Sequence, residues 1–209
     1  MNKNQQAVAI FNKLAALYQE KYMDVNNYGE GLDLFCSLLE KNGSSVFEIA
    51  CGPGNITKYI LNKRPDLKVL GTDLSENMVE LARENNPEAS FEQMDCRKIS
   101  LQKNTFDAVV CGFCLPYLND VETQNLFVDI EKLLNKDGIL YLSTIEGNYD
   151  NSTYKKGSTG DEIFMHYYSE KFLRLLIELL NLTITYVHRV AIINDEETND
   201  LIIIAKKNH

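Results

Sequence analysis

The stretch Val46-Phe-Glu-Ile-Ala-Cys-Gly-Pro-Gly-Asn-Ile-Thr57 decides the fold of this chain. An apolar run that carries one acid, Glu48, breaks into a turn at Gly52 and Gly54, and helix-forming residues follow. The order of buried strand, glycine turn and helix start is typical of a ligand pocket at the carboxyl edge of a parallel sheet. Because glycine has no Cβ, the main chain of such a turn can touch a ligand directly.

Strand and helix patterns alternate outward from this stretch. Apolar runs predict parallel strands at about 45–50, 67–72, 89–94, 106–112 and 139–145, with helices at about 54–63, 75–86 and 120–134 between them. Two further strand-like stretches, 183–193 and 201–206, have no room for a helix between them, so they form a hairpin with residues 195–200 as its connection. The fold class is therefore α/β: a doubly wound, mostly parallel sheet with one antiparallel strand and helices on both faces.

The layout predicts a single domain over residues 1–209. Helical spacing of apolar residues over about 5–23 and 31–41 indicates an N-terminal helical cap, residues 1–43. The cap is followed by a cofactor-binding core at 44–145. Next come a substrate loop at 146–168, whose long polar stretch is typical of a functional or disordered segment, and a C-terminal helix with the hairpin at 169–209.

The composition favours a globular protein that acts on a small molecule. A formal charge of −9 disfavours nucleic acid as the main partner, since Lys and Arg carry such binding. No apolar run approaches the roughly 20 residues of a membrane span, and the start lacks the apolar segment of a secretory signal. Five cysteines fit reduced thiols, and Cys111 with Cys114 lacks the second pair that a metal site needs. We expect a cytoplasmic monomer or homodimer with no metal and no membrane partner.

Three acids stand at or beside the ends of successive predicted strands: Glu48, Asp73 and Asp95. In a doubly wound sheet these ends line one crevice, where ligands bind. Asp73 is placed to accept hydrogen bonds from both hydroxyls of a ribose, and Asp95 to accept one from a base amine. Glu48, under the glycine turn, is placed to meet a positively charged amine. One acid alone often only caps a turn, but three beside Gly-x-Gly indicate a ligand site.

Two cofactor classes use a glycine turn of this kind. The dinucleotide fingerprint requires Gly-x-Gly-x-x-Gly/Ala, and its third position is Thr57 in this chain. The pyrophosphate of a dinucleotide would also lie close to the carboxylate of Glu48. S-adenosylmethionine (SAM) has no phosphate and carries a cationic end, so these residues favour SAM.

The motifs resemble those of the Rossmann-like (class I) SAM-dependent methyltransferases of the small-molecule type, in order and in spacing. Glu48–Gly54 resembles the first motif, E/D-x-x-x-G-x-G, and Gly71–Met78 the second. Met94–Cys96 resembles the third, Phe106–Cys111 the fourth, and Leu134–Leu140 the entry to the fifth strand. The resemblance implies a seven-stranded sheet that ends in the hairpin. It disfavours DNA-amino and glutamine methylation, because the Pro-Pro motif of those enzymes is missing after the fourth strand.

The resemblance also implies contacts of single residues with SAM. Glu48 would lie near the methionine amine, Asp73 on the ribose, and Asp95 with the amide of Cys96 on the adenine. Aromatic faces can stabilise partial positive charge near the methyl group, so tyrosines of the cap are candidates as well as packing residues. The predicted cofactor contacts are Glu48, Ala50, Gly52, Gly54, Asp73, Leu74, Met78, Asp95, Cys96, Cys111, Tyr18, Tyr22 and Tyr28.

Aromatic residues after the fourth strand and around the long loop favour a small, partly apolar methyl acceptor. The predicted substrate contacts are Phe113, Tyr117, Tyr149, Tyr154 and Tyr167. His166 is the candidate general base if the nucleophile is a hydroxyl or ammonium group, although a lone histidine beside aromatics also serves packing. Methylation of O, N or C stays open. So do two other classes of protein: a SAM-binding regulatory protein and an NAD-dependent oxidoreductase.

Overall fold

The computed structural model describes residues 3–192 and 195–208. Ile193, which the sequence places in a strand, therefore lies outside the described residues, as do positions 1, 2, 194 and 209 of the predicted domain. The strands are β1 Ser45–Ile49, β2 Lys68–Asp73, β3 Ser90–Gln93, β4 Phe106–Gly112, β5 Leu134–Ile145, β6 Thr153–Lys156, β7 Glu162–Met165, β8 Leu182–Ile192 and β9 Asp195–Lys207. The α-helices are α1 Lys3–Lys13, α2 Ala15–Tyr22, α3 Gly29–Leu38, α4 Asn55–Lys63, α5 Glu76–Asn85, α6 Asp120–Leu133 and α7 Glu170–Leu179. Within the described ranges, no helix combines the length and apolarity needed to cross a membrane.

Seven strands form one sheet in the order β3-β2-β1-β4-β5-β9-β8. Strands β1 to β5 pair in parallel, and β9 runs antiparallel to both β5 and β8. The predicted fold class is confirmed. The strand order reverses at β1, which lies between β2 and β4, so the topological switch point falls at the carboxyl end of β1.

Alternate residues of the central strands face two separate hydrophobic layers. Val46 of β1 and Ala108 of β4 pack with α3 and α4, whereas Phe47 of β1 and Val109 of β4 pack with α6 and α7. All four of these side chains are fully buried. Because both faces of the sheet are covered by helices, its strands are near-continuous apolar runs, and ligand access is left to the sheet's carboxyl edge.

The first predicted helix is in fact two helices that meet at Leu14. The amide of Tyr18 still bonds to the carbonyl of Leu14 at 2.9 Å, so the chain changes direction without an intervening loop. Helix α1 contacts α5 and β7, while α2 contacts α5. Hydrophobic spacing alone could not reveal this break, because it arises from tertiary contacts on both sides of α1.

Two further differences concern strands. The long polar segment after β5 contains the β6–β7 hairpin, in which Thr153 pairs with Met165 and Lys156 with Glu162. The prediction that residues 195–200 are a connection was wrong, since β9 already begins at Asp195. The polar residues at 195–200 lack the apolar pattern that indicates a strand, yet Asp200 pairs with Ile145 of β5.

Candidate active site

A cavity of about 740 Å³, its open mouth included, lies at the carboxyl ends of the parallel strands. Its floor comes from the segments after β1, β2, β3 and β4, and its cover comes from α1 and α2. We call it the cofactor cavity. The lining residues are Asn4, Ala7, Val8, Phe11, Tyr18, Ala50, Gly52, Asp73, Leu74, Ser75, Met78, Met94, Cys96, Gly112, Phe113, Cys114, Tyr117 and Leu118.

The glycine turn after β1 has a left-handed backbone at three positions: Ala50 (φ 54°), Gly52 (φ 53°) and Gly54 (φ 78°). A Cβ on Gly52 would stand 3.8 Å from Cε1 of the Tyr18 ring, that is, on the cavity side. A Cβ on Gly54 would lie 2.3 Å from the Asn86 Nδ2 atom. Gly52 thus keeps the main chain open to a ligand, and Gly54, which does not line the cavity, allows tight packing beneath it.

Two asparagines at the end of α5 hold this turn, and sequence analysis had used them only as a helix end. The Asn85 side chain donates to the carbonyl of Pro53 at 2.8 Å. The buried Asn86 side chain donates to the carbonyl of Gly54 at 3.0 Å. The sequence alone does not reveal that Asn85 and Asn86 support the turn, because the carbonyl groups that they bind lie 32 residues earlier in the chain.

Asp73 presents a carboxylate on the cavity wall. Its Oδ2 atom accepts from the Gly52 amide at 3.0 Å, and its Oδ1 atom accepts from the Ser75 amide at 2.8 Å. Burial raises the pKa of this carboxyl group, while the backbone hydrogen bonds oppose the rise. Because each carboxylate oxygen has two lone pairs, Asp73 can fix the turn and still accept two hydrogen bonds from a ligand.

Glu48 lies beneath the glycine turn and is not part of the cavity wall. Its side chain is buried and accepts a hydrogen bond from the Thr57 hydroxyl. Burial raises the pKa of Glu48 to about 8, and the Thr57 hydrogen bond opposes the rise. The carboxyl group is therefore largely protonated at neutral pH, and a nearby ammonium group would favour its charged form. The contact between Glu48 and the methionine amine stays a prediction.

Asp95 forms an ion pair with Arg97, which the sequence did not indicate as a residue of the site. Its carboxylate lies 2.7 Å from an Arg97 guanidinium nitrogen, and its Oδ1 atom also accepts from the Arg97 amide at 2.9 Å. The Arg97 guanidinium also bonds to Glu122 at 3.0 Å. Met94 and Cys96, the neighbours of Asp95, do line the cofactor cavity. The predicted contact of Asp95 with adenine stays a prediction, whereas its ion pair with Arg97 is present.

The end of β4 carries a second strained residue, Phe113, at φ 51°. The amide of Phe113 bonds to the carbonyl of Ser143 at 2.9 Å, which holds the turn, and the ring faces the cavity. Strained backbone at two adjoining strand ends is typical of a functional site. Cys111 is buried in the core below and does not line the cavity, although Cys114 does.

The three tyrosines predicted from the cap have different positions. Tyr18 lines the cavity, and Tyr22 packs on Tyr18 with ring centres 4.7 Å apart. The Tyr28 hydroxyl donates to Asp200 at 2.7 Å, and its ring lies 5.4 Å from that of Phe113. Only Tyr18 therefore belongs to the wall, while the other two support neighbouring residues.

Helix α1 covers the cofactor cavity because it is tied down on two sides. On one side, Asn12 accepts from the Ser75 hydroxyl at 2.9 Å and from the Asn77 amide at 3.0 Å. On the other, Lys13 pairs with Asp161 at 3.2 Å, next to the β6–β7 hairpin. The predicted cap thus forms the cover of the cavity, and the hairpin helps to position that cover.

A second cavity adjoins the first, and Asn4 and Tyr117 line both. Its other lining residues are Lys3, Asn119, Glu122, Tyr149 and His166. The structure thus brings together three sequence-predicted residues at this cavity: Tyr117, Tyr149 and His166. Tyr154 instead packs edge-on against Phe164 on the hairpin, and Tyr167 is buried against Gly147.

His166 is buried between aromatic rings. Its ring stacks on Tyr149 with centres 5.4 Å apart and meets the edge of Phe164 at 4.9 Å. Its Nδ1 atom has no hydrogen-bond partner among the residues that the structure describes. Burial lowers the pKa of the imidazole, and the positive charge of Lys3 acts in the same direction. His166 is therefore neutral at pH 7 and has a nitrogen lone pair available to accept a proton.

Comparisons with known proteins agree with this geometry. Residues 46–138 match a family model described as a methyltransferase domain. A putative methyltransferase 235L of Invertebrate iridescent virus 6 is 30% identical over 122 residues, which are 58% of this chain and 43% of that protein. A trans-aconitate 2-methyltransferase of Variovorax paradoxus (strain S110) is 39% identical over 77 residues, 37% of this chain and 30% of that protein. The chain thus spans less than half the length of these two relatives.

The fold comparison covers nearly the whole chain. The structure of DhpI in complex with S-adenosylhomocysteine (SAH) superposes on this chain with a TM-score of 0.76 at 14% identity, over 99% of this chain and 97% of DhpI. At this identity the likeness shows the fold alone. Residues 46–138 of this chain are thus similar to a methyltransferase domain, and nearly the whole chain shares the fold of DhpI in that complex.

Proposed function

We propose that this protein transfers a methyl group from SAM to a small-molecule acceptor. The observation that carries the proposal is the placement of Asp73 beside Gly52, in a cavity at the switch point of the sheet. The test is incubation with methyl-labelled SAM and a mixture of small metabolites, followed by chromatography of the labelled products. Label in a small molecule supports the proposal. SAM binding without any transfer would instead favour a SAM-binding regulatory protein.

The cavity residues suit SAM in shape and in chemistry. Gly52 keeps one wall open at the point where a side chain would otherwise project. Asp73 offers two acceptor positions for the ribose hydroxyls, and Leu74 and Met78 offer apolar contacts for the ribose and adenine. DhpI, whose fold this chain shares, forms a complex with SAH.

SAM, when bound, supplies an electrophilic methyl group on a sulfonium, and the chain's own residues have to align the acceptor and exclude water. Phe11 of α1 and Tyr18 of α2 line the cover of the cavity and shield part of it from solvent. The Tyr18 ring lies beside the glycine turn, where an aromatic face can stabilise a positive charge. Phe113 lines the cofactor cavity, and Tyr117 lines both that cavity and the second one.

We assign His166 as the general base for an acceptor that must lose a proton. Replacing His166 with Gln should lower kcat about 100-fold or more, because proton transfer by a positioned base contributes at least that factor. Wild-type kcat/KM should fall only below the ordinary histidine pKa of about 6.5, since burial lowers the pKa of His166. Rates from pH 5 to 9 for both proteins test this. An unchanged kcat in the variant would leave His166 a packing residue.

An NAD-dependent oxidoreductase is less well supported. The third fingerprint glycine is replaced by Thr57, whose hydroxyl is bonded to the buried Glu48 carboxyl group. A carboxyl group at this position favours a cationic ligand group over a pyrophosphate, because only a cation stabilises its charged form. Binding of NAD⁺ in preference to SAM would revive that class.

A further inference from the structure

The second cavity indicates the chemistry of the methyl acceptor. Asn4 and Tyr117 line both cavities, so a molecule in the second cavity would lie directly beside the cofactor cavity. Its wall is more polar than that of the cofactor cavity, with one lysine, one glutamate, one histidine and two asparagines among its lining residues. A wall of this kind discriminates by charge and by hydrogen bonds.

The acid on this wall is already fully engaged. The Glu122 Oε1 atom accepts from Arg97 at 3.0 Å, and its Oε2 atom accepts from the Asn119 amide at 3.0 Å. Asn119 in turn accepts from the Glu122 amide at 2.9 Å, which completes a capping box at the start of α6. Both carboxylate oxygens of Glu122 are therefore engaged in holding Arg97 and the helix end, while Arg97 divides its single charge between Glu122 and Asp95.

Lys3 differs from Glu122 in having no opposite charge beside it. Its Nζ atom lies 3.2 Å from the ring centre of Phe164, and within residues 3–192 and 195–208 it makes no ion pair with a carboxylate. His166, next to it, is neutral, although Glu122 and Asp120 partly offset the effect of Lys3 on its pKa. Lys3 therefore presents an ammonium group on the wall that no carboxylate of the described residues pairs with.

Two polar atoms near Lys3 also lack partners within the described chain: Oδ1 of Asn4 and Nδ1 of His166. Both side chains line the second cavity, and His166 is more than nine-tenths buried. Buried polar atoms are normally hydrogen-bonded, so these two favour a ligand that brings hydrogen-bond donors. An amide oxygen and a neutral imidazole nitrogen both accept hydrogen bonds from hydroxyl groups.

We propose that the second cavity is the acceptor subsite and that it takes a small organic acid, with the carboxylate paired to Lys3 and a hydroxyl directed to Asn4 and His166. The inference rests on the proposed methyl transfer. It goes further in naming the class of acceptor, and it assigns Lys3 as a specificity-determining residue. The neutral amide of the same acid would lose the charged contact with Lys3 and would be a poorer acceptor.

The test fractionates a deproteinised metabolite extract on anion and cation exchangers and assays each fraction with methyl-labelled SAM. Acceptor activity should be retained on the anion exchanger. Lys3→Gln should raise the KM for that fraction about tenfold or more, because a charge-assisted contact is lost. Lys58→Gln is the matched control, since it removes the same charge from an exposed position on α4 that lines neither cavity. Calorimetry should show unchanged SAM affinity in both variants.

The outcomes separate the inference from the proposed function. Failure of the wild-type protein to bind SAM, or SAM binding with no acceptor activity in any fraction, would overturn the proposed function itself. If methyl transfer is found, two results would overturn the acceptor class alone. These are acceptor activity in the unretained or cation-exchange fraction, and equal KM values for Lys3→Gln and wild type.

Discussion

Replacing Asp73 with alanine is expected to weaken SAM binding about 100-fold or more. The proposed ribose contacts are two hydrogen bonds to the Asp73 carboxylate on the cavity wall, and each hydrogen bond to a charged group contributes roughly 1.5–3 kcal/mol. Two such bonds give at least 3 kcal/mol, and 1.4 kcal/mol corresponds to a factor of ten in Kd. The substitution also removes the acceptor for the Gly52 and Ser75 amides, so the turn that faces the ligand becomes looser.

The measurement is calorimetric titration of the variant with SAM, with thermal unfolding as a check that the fold is intact. Glu80→Ala is the matched control, because Glu80 is an exposed acid on α5, the helix that follows Asp73. Its SAM affinity should equal that of the wild type. An Asp73→Ala protein that folds and binds SAM as tightly as the wild type would show that the cavity has been assigned to the wrong ligand.

Replacing Glu48 with glutamine is expected to stabilise the cofactor-free protein as the pH rises from 5 to 8. The pKa of Glu48 is about 8 in the fold, against 4.5 ordinarily, so the folded chain keeps a proton that the unfolded chain releases. The wild type therefore loses stability as pH rises through this window, by roughly 3 kcal/mol from this group. Glutamine does not titrate, and its amide oxygen can still accept from the Thr57 hydroxyl.

Chemical unfolding at pH 5, 6, 7 and 8 tests this prediction. The difference between the two proteins isolates Glu48 from Asp73 and Asp200, whose raised pKa values act in the same direction in both. The free energies of unfolding of the wild type and Glu48→Gln should be close at pH 5, and that of Glu48→Gln should be the higher at pH 8. Glu48→Gln should also bind SAM more weakly, because the ammonium group of SAM would lose its proposed carboxylate partner. Parallel pH curves for the two proteins would refute the buried-acid account.

The fold was predictable because its determinants are local and periodic. The apolar strand around Val46, the turn at Gly52 and Gly54 and the regular return of strand patterns gave the sheet, and the absence of a helix in the C-terminal stretch gave the antiparallel strand. The break at Leu14 and the early start of β9 at Asp195 depend on tertiary contacts, and the pattern contains no sign of either.

The candidate site was predictable only where a residue lies at a strand end. Asp73 is the last residue of β2 and Phe113 directly follows β4, so chain order alone brings them to the cavity. Asn86 and Arg97 bind groups that only the packing of the chain brings near them. The second cavity likewise forms where α1 meets the segment around His166. Lys3 and His166 are 163 positions apart in the chain, and no rule of sequence spacing relates them. The proposed acceptor subsite was therefore not predictable from the sequence.

The most direct test of the central claim is calorimetric titration of the wild-type protein with SAM and, separately, with NAD⁺. The cavity at the switch point is lined by Asp73, the proposed ribose-binding acid, and Glu48 is buried beneath a turn that lacks the third glycine of a pyrophosphate site. We predict saturable one-to-one binding of SAM and no binding of NAD⁺. Saturable binding of NAD⁺ with none of SAM would contradict the assignment.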